Sequence, residues 1–272
     1  MLIGMANSSP AYGALKSTRL TSETLKAMWH KGFRRVDSAE AYQFAVEILK
    51  QSNLNWEVQT KIRIDDNSIS HQSLKELVEK STKNQNIRTL LIHNPEFVSF
   101  SNASKILEML KEITSGFEIN KIGISIYRPH ELEQVNDWDL IEIVQFPHNP
   151  FDSSCLDWFE KNLPKAKPTL QARSIFLQGL LVANPGMKID LPKALLNEVD
   201  HWHAWLRHRR ISATQYCVDY AVKSERLDEM VVGVESILQG TEILGYINHA
   251  AELEKYQHGI DPAITDPRKW KN

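Results

Sequence analysis

The chain has 272 residues, 42% of them hydrophobic and 24% charged, with a formal net charge of -2. Those values are ordinary for a globular protein and give no basic field of the kind that binds nucleic acid. Two cysteines, Cys155 and Cys217, are too few for a disulfide framework, and no run approaches the ~18 consecutive apolar residues of a membrane span, so a reduced, cytoplasmic protein is expected.

In chain order, short apolar or β-branched runs alternate with longer segments of helical periodicity. Strands are predicted over Met1–Ala6, Arg34–Ser38, Glu57–Ile62, Thr89–His93, Lys121–Ile126, Glu142–Phe146, Thr169–Ile175 and Glu229–Val234. Helices are expected between them. Thr21-Ser-Glu-Thr24 reads as a cap ahead of Leu25, Met28 and Trp29, and Pro129 suits a first helical turn. The longest helical stretch falls between the seventh and eighth runs, with Trp202, Trp205 and Leu206 and then Tyr216 to Val222.

Strand–helix alternation implies parallel pairing, because each parallel strand needs a covering crossover. Eight such units in a chain of this size predict one α/β domain over 1–272, a parallel eight-stranded (β/α)8 TIM barrel. The rival, an open doubly wound sheet, carries a glycine-rich turn after its first strand. Asn7-Ser-Ser-Pro10-Ala-Tyr-Gly13 is no such turn.

Reactive groups in these barrels gather where strands end in βα loops. The second strand ends in Arg35-Val-Asp37-Ser-Ala-Glu-Ala-Tyr42, the third in Val58-Gln-Thr-Lys61, the fourth in Leu90-Leu-Ile-His93-Asn-Pro95. Taken singly, Asp37 reads as a helix cap, Tyr42 as a half-buried aromatic, Lys61 as a snorkelling cation and His93 as a turn residue. Together they make chemical sense. A phenol is a poor acid at neutral pH, an adjacent ammonium eases its proton release, a carboxylate holds that ammonium, and a histidine orients a carbonyl.

Asp37-x-Ala39-x-x-Tyr42, Thr60-Lys61 and Leu91-Ile-His93-x-Pro95 resemble the catalytic segments of the aldo-keto reductase family. The likeness continues through Met1-Leu-Ile-Gly-Met, Ile122-Gly-Ile-Ser125, Val144-Gln145-Phe-Pro-His-Asn149-Pro150 and Gln178-Gly179-Leu-Leu181. The resemblance implies reduction of a small-molecule carbonyl by NADPH, with NADH as the other possibility. Tyr42 would be the proton donor, Lys61 would tune it, Asp37 would hold Lys61 and His93 would orient the carbonyl. It further implies cofactor contacts at Ser125 and Gln145 for the carboxamide, and at Arg173, Ser174, Gly179, Gly233, Ser236 and Gln239.

Three positions depart from the family pattern. Ile126 follows Ser125 where an asparagine is common, Arg173 replaces a stacking aromatic, and Gly233-Val-Glu235-Ser236-Ile-Leu-Gln239-Gly240 carries no cation for a 2′-phosphate. Arg173 would face either cofactor phosphates or an anionic substrate. Two other functions stay open at this stage. One is a nicotinamide-binding regulatory protein with little turnover, the other a cofactor-free aldolase with Lys61 as Schiff-base amine. His201, His203 and His208 lack a carboxylate or cysteine at ligand spacing, so no metal is expected, and Arg207 to Arg210 reads as a solvated helix end. The loop from Asn7 to Gly13 is small and polar, which suits an open pocket and a polar substrate such as a sugar derivative.

Overall fold

Eight parallel strands close on themselves in sequence order: β1 (Leu2–Gly4), β2 (Arg35–Asp37), β3 (Glu57–Ile62), β4 (Ile87–Ile92), β5 (Lys121–Ser125), β6 (Ile143–Pro147), β7 (Thr169–Arg173) and β8 (Glu229–Gly233). The computed structural model describes residues 1–9, 20–42, 44–83, 85–162, 164–184, 191–252 and 254–270. β1 pairs with β2 on one side and β8 on the other, so the barrel leaves no open edge among these strands. All eight strands lie within two residues of the predicted starts. The ends that differ do so for local reasons: the chain after Gly4 turns into a 3-10 turn, Ala6–Ser8, instead of extending β1 to Ala6.

Helices cover the outside: α1 (Ser22–His30), α2 (Ala45–Ser52), α3 (His71–Thr82), α4 (Ala103–Thr114), α5 (Pro129–Leu132), α6 (Ser154–Asn162), α7 (Lys193–Arg209), α8 (Ala213–Val222) and α9 (Ile237–Asn248). Hydroxyl caps set several starts. Thr21 accepts from the Thr24 amide at 3.2 Å, and Ser70, Ser212 and Ser236 do the same for α3, α8 and α9. The faces at Leu25 and Met28, Leu74 and Val78, and Ile106, Leu107 and Leu110 are buried against the strands. No helix among the described residues is long and apolar enough to cross a membrane.

The β5–β6 contact depends on Gly123. A Cβ there would run into the backbone carbonyl of Ile143, its partner in the ladder, so only glycine allows the two strands to approach this closely. The last segment, residues 254–270, returns across the fold. Tyr256 packs between Phe151 and the α7 aromatics Trp202 and Trp205, and Trp270 is buried with its indole N–H on the Ile264 carbonyl.

Alternation along the strands decides which side chains enter the barrel. Gln59 and Lys61 share one face of β3, Gln171 and Arg173 one face of β7. The interior therefore carries polar layers where bulky aliphatic residues are usual. It also places charge directly beneath the barrel mouth.

Candidate active site

Lys61 is the best-enclosed cation described, with only 1% of its surface exposed. An ammonium taken out of water needs a counter-charge. Asp37, one strand away, supplies it: Lys61 Nζ lies 2.6 Å from Asp37 Oδ2 and donates a second bond to the Ser38 carbonyl at 3.0 Å. Burial pulls the Lys61 pKa down from its ordinary value, the Asp37 carboxylate raises it, and the Arg173 guanidinium lowers it further.

Tyr42 stands in the turn after β2, where its amide donates to the Ala39 carbonyl at 3.0 Å. Its ring centroid is 5.6 Å from Lys61 Nζ. His93 follows β4, its backbone tied to the Ile62 carbonyl at 2.7 Å. The His93 pKa is pushed down to about 4, first by burial and then by the positive charges of Lys61 and Arg173. His93 is thus neutral at pH 7, one nitrogen donating and the other accepting. The structure brings Asp37, Tyr42, Lys61 and His93 together at three adjacent strand ends.

Below the pair lies a buried amide network. Gln59 Nε2 and Gln145 Nε2 both donate to Asp37 Oδ1, at 2.6 and 3.0 Å, and both donate to Gln171 Oε1, at 2.7 and 2.6 Å. Gln171 in turn donates to Glu229, which is paired with Arg35 at the foot of the barrel. Gln59 and Gln171 escaped the sequence reading. The available signal was their spacing, two residues before Lys61 and before Arg173, which in a strand means the same face.

The residues expected around a carboxamide sit differently from one another. Ser125 and Gln145 are adjacent in the ladder and joined by a 3.2 Å hydrogen bond from Ser125 Oγ to Gln145 Oε1. Both are buried, and the Gln145 amide N–H groups serve Asp37 and Gln171. Ile126 is buried as well, its amide on the Gln145 carbonyl at 2.8 Å. Its carbonyl accepts from Arg173 Nη2 at 2.9 Å, while the Arg173 guanidinium lies 4.1 Å above the Tyr127 ring. Arg268, from the returning C-terminal segment, covers the same ring at 4.0 Å.

A groove of about 870 Å³, measured out to its open mouth, runs from this point toward β8. Tyr42, Asp37 and Arg173 line one end, and Gly233, Glu235 and Gln239 the other. Its wall is the loop after β7, where Ser174, Leu177, Gln178 and Gly179 all take positive φ. The amides of Ile175, Phe176, Gln178 and Gly179 donate to no protein acceptor among the described residues, leaving N–H groups for an anion. Gly233 keeps the β8 end open, since a Cβ would stand 3.1 Å from Asn7 Nδ2. Ser236 caps α9 and Gln239 Oε1 accepts from the Glu235 amide at 2.8 Å, so the helix N-terminus also faces this end. Among the described residues lining the groove, Arg173 is the one cation. Of the small polar loop Asn7 to Gly13, residues 10–13 lie outside the described residues.

The remaining reactive types sit apart. His201, His203 and His208 lie on α7, and no group of three or more His, Cys, Asp or Glu among the described residues could hold a metal ion. Cys155 and Cys217 are buried thiols whose pKa values burial pushes up, which keeps them protonated and unreactive.

The model of the aldo/keto reductase family matches residues 1–260. No curated protein matches the chain in sequence. Among solved structures, an aldo-keto reductase from Bacillus halodurans in its holo form is 18% identical, with a TM-score of 0.63 over 94% of this chain and 93% of that one. A glycerol dehydrogenase from Gluconobacter oxydans is 15% identical, with a TM-score of 0.58 over 95% and 94%. An aldo-keto reductase from Klebsiella pneumoniae, solved with NADPH, is 11% identical, with a TM-score of 0.60 over 92% and 86%. At such identities the likeness establishes the fold.

Proposed function

The chain belongs to the aldo/keto reductase family, and from that premise we propose that it reduces an aldehyde or ketone with a nicotinamide nucleotide, Tyr42 donating the proton. One observation carries this reading: the Lys61–Asp37 pair, 2.6 Å apart and sealed from water, lies beneath the Tyr42 ring beside a neutral His93. The groove fits the nucleotide. It offers the loop amides of Ile175, Phe176, Gln178 and Gly179, which have no protein acceptor among the described residues, a capped helix N-terminus at Ser236 and a side-chain-free wall at Gly233. Ser174, Gly179, Gly233, Ser236 and Gln239 would hold the nucleotide along that wall, with Ser125 and Gln145 at its nicotinamide end; Arg173, drawn onto the Ile126 carbonyl and the Tyr127 ring, stands outside that set. When bound, it supplies the hydride.

The protein supplies the rest. Tyr42 holds a hydroxyl proton at the barrel mouth. Lys61 stabilises negative charge as it develops on the phenolic oxygen, an electrostatic effect strengthened because the ammonium itself is shielded from water. Asp37 fixes the ammonium, and Gln59 and Gln145 fix Asp37. His93, neutral, donates one N–H toward the carbonyl oxygen without competing as a charged acid.

Two expected results test the reading. Purified protein with NADPH should consume it in the presence of at least one member of a broad aldehyde and ketone panel. Titration by quenching of intrinsic tryptophan fluorescence should show NADPH favoured over NADH by less than about tenfold, because a phosphate without Lys or Arg lacks its strongest contacts. Glu235, beside the α9 start, would repel a 2′-phosphate, so Glu235→Gln should tighten NADPH and leave NADH nearly unchanged. Tight cofactor binding with no turnover across the panel would favour the regulatory reading. The buried engagement of Ser125 and Gln145, and Ile126 in place of an amide, are the observations on its side.

The neutral state of His93 also gives a pH expectation. Its folded pKa of about 4 lies below the ordinary 6.5, so the unfolded chain binds the proton better between those values. His148, buried against Tyr220, is depressed to about 4 as well, by burial. Their contribution to stability is complete above pH 6.5 and is lost as pH falls toward 4. Urea midpoints should decline over that window, less steeply in His93→Gln. Between pH 5 and pH 7, kcat/KM should show no inflection that His93→Gln removes. An inflection near 6.5 would mean that His93 acts as a charged acid.

A further inference from the structure

Two arginines cover the Tyr127 ring, Arg173 at 4.1 Å and Arg268 at 4.0 Å, and one of them is neutralised. Arg268 is paired with Asp266 at 2.7 Å. Arg173 makes no ion pair among the described residues. Its bonds are to the Ile126 carbonyl at 2.9 Å and, through Nη1, to Ser174 Oγ at 3.3 Å, and its plane is fixed over Tyr127. This is a guanidinium held rigid by neutral groups. Its charge reaches Lys61 and His93, on the far side of the mouth, lowering both pKa values. Asp37 neutralises Lys61 and His93 is uncharged, so Arg173 leaves one positive charge unbalanced beside the proton donor.

The direction of the side chain matters. Arg173 starts on β7 but turns toward β5, meeting Ile126 and Tyr127, and away from the Gly233–Gln239 end of the groove. A nucleotide's phosphates, held by the loop amides and the α9 N-terminus, would lie along that other arm. A pre-fixed fork of N–H donors matches a planar, two-oxygen anion.

We propose that Arg173 is a specificity residue that receives a carboxylate, and that the carbonyl compound reduced at Tyr42 is an oxo-acid. The inference rests on the reductase reading above and narrows its substrate class. The carboxylate takes no part in bond making; it forms charge-assisted hydrogen bonds to Arg173 and thereby sets the carbonyl against Tyr42 and His93.

The test has a kinetic arm and a binding arm. In the first, 4-carboxybenzaldehyde and its methyl ester are compared as substrates with NADPH. The expected kcat/KM favours the acid by about tenfold or more, as a charge-assisted bond predicts, and Arg173→Gln brings the ratio near one, mainly through KM. In the second, benzoate and benzamide are titrated by calorimetry into the protein saturated with NADP. Benzoate should bind more tightly, and Arg173→Gln should remove that advantage, with Arg173→Lys restoring part of it. The NADPH affinity of Arg173→Gln, read by tryptophan quenching, should stay close to that of the parent. Equal treatment of acid and ester, or of benzoate and benzamide, overturns the proposal. So does an Arg173→Gln variant that loses NADPH affinity and keeps the acid preference. If benzoate binds through Arg173 while no member of the broad carbonyl panel is reduced, the reductase reading fails and the carboxylate site stands.

Discussion

Replacing Tyr42 by phenylalanine is expected to lower kcat by about 10²- to 10⁴-fold, the range of a lost general acid. The substitution removes one oxygen and keeps the ring. Packing at the turn after β2 and the ring's position 5.6 Å from Lys61 Nζ are therefore preserved. The loss should appear in kcat and kcat/KM together, because the proton is delivered in the transition state and contributes little to ground-state binding. NADPH affinity should change little, since the amides of Ile175, Phe176, Gln178 and Gly179 and the α9 N-terminus lie along the other arm of the groove. His93 is the alternative donor at the mouth. A neutral imidazole with a pKa of about 4 has no acidic proton to give at pH 7 beyond its ring N–H, so it offers a hydrogen bond in place of a transferred proton. Turnover near the parent rate in Tyr42→Phe would assign the proton to His93 or to water and end the tyrosine mechanism.

The barrel was legible because its physics is written periodically. Each parallel strand must be covered, so the eight apolar runs and their helical partners announce both number and pairing. The quartet at the barrel mouth was legible for a related reason: Asp37, Tyr42, Lys61 and His93 are polar residues at the ends of apolar strands, where packing alone does not account for them. Gln59 and Gln171 were harder to see. A glutamine inside a short strand reads as solvent-facing until the barrel's closure turns that face inward, and closure is a property of all eight strands together. Gln145 was picked out through family likeness, yet its partners, Asp37 and Gln171, lie on other strands and no local pattern names them. Arg173 shows the same limit. Its position on β7 could be read, but its turn toward Tyr127 depends on the β5–α5 connection, and Arg268 reaches the same ring from 95 residues further along the chain.

The amide network predicts an asymmetry between the two halves of the buried ion pair. Asp37→Asn should destabilise the fold by about 3–5 kcal/mol, as expected when a buried charge loses its partner. Lys61→Met should cost less. Asp37 offers one oxygen to Lys61 and the other to Gln59 and Gln145. Asparagine keeps a single acceptor, so its amide N–H₂ must meet either the ammonium or the two glutamine N–H₂ groups. Flipping a glutamine gives no relief, because both Nε2 atoms also serve Gln171 Oε1. With the amide N–H₂ toward the ammonium, Lys61 is left with the Ser38 carbonyl alone; with it toward the glutamines, their two N–H₂ groups lose their acceptor. In Lys61→Met the carboxylate retains both glutamine donors, and the methionine fills much of the vacated volume. The two variants should also differ in pH dependence. With Asp37 gone, the opposing effect of burial on Lys61 is unbalanced, and its folded pKa drops further below that of the unfolded chain. The unfolded state then binds the extra proton, so the stability of Asp37→Asn should rise as pH increases from 7 toward 10. Lys61→Met has no ammonium at this site and should lack that rise. Urea unfolding with unchanged m-values reads both effects. A larger loss in Lys61→Met than in Asp37→Asn, or parallel pH profiles, would show that the glutamines do not hold the carboxylate, and that Lys61 alone keeps Asp37 in the barrel.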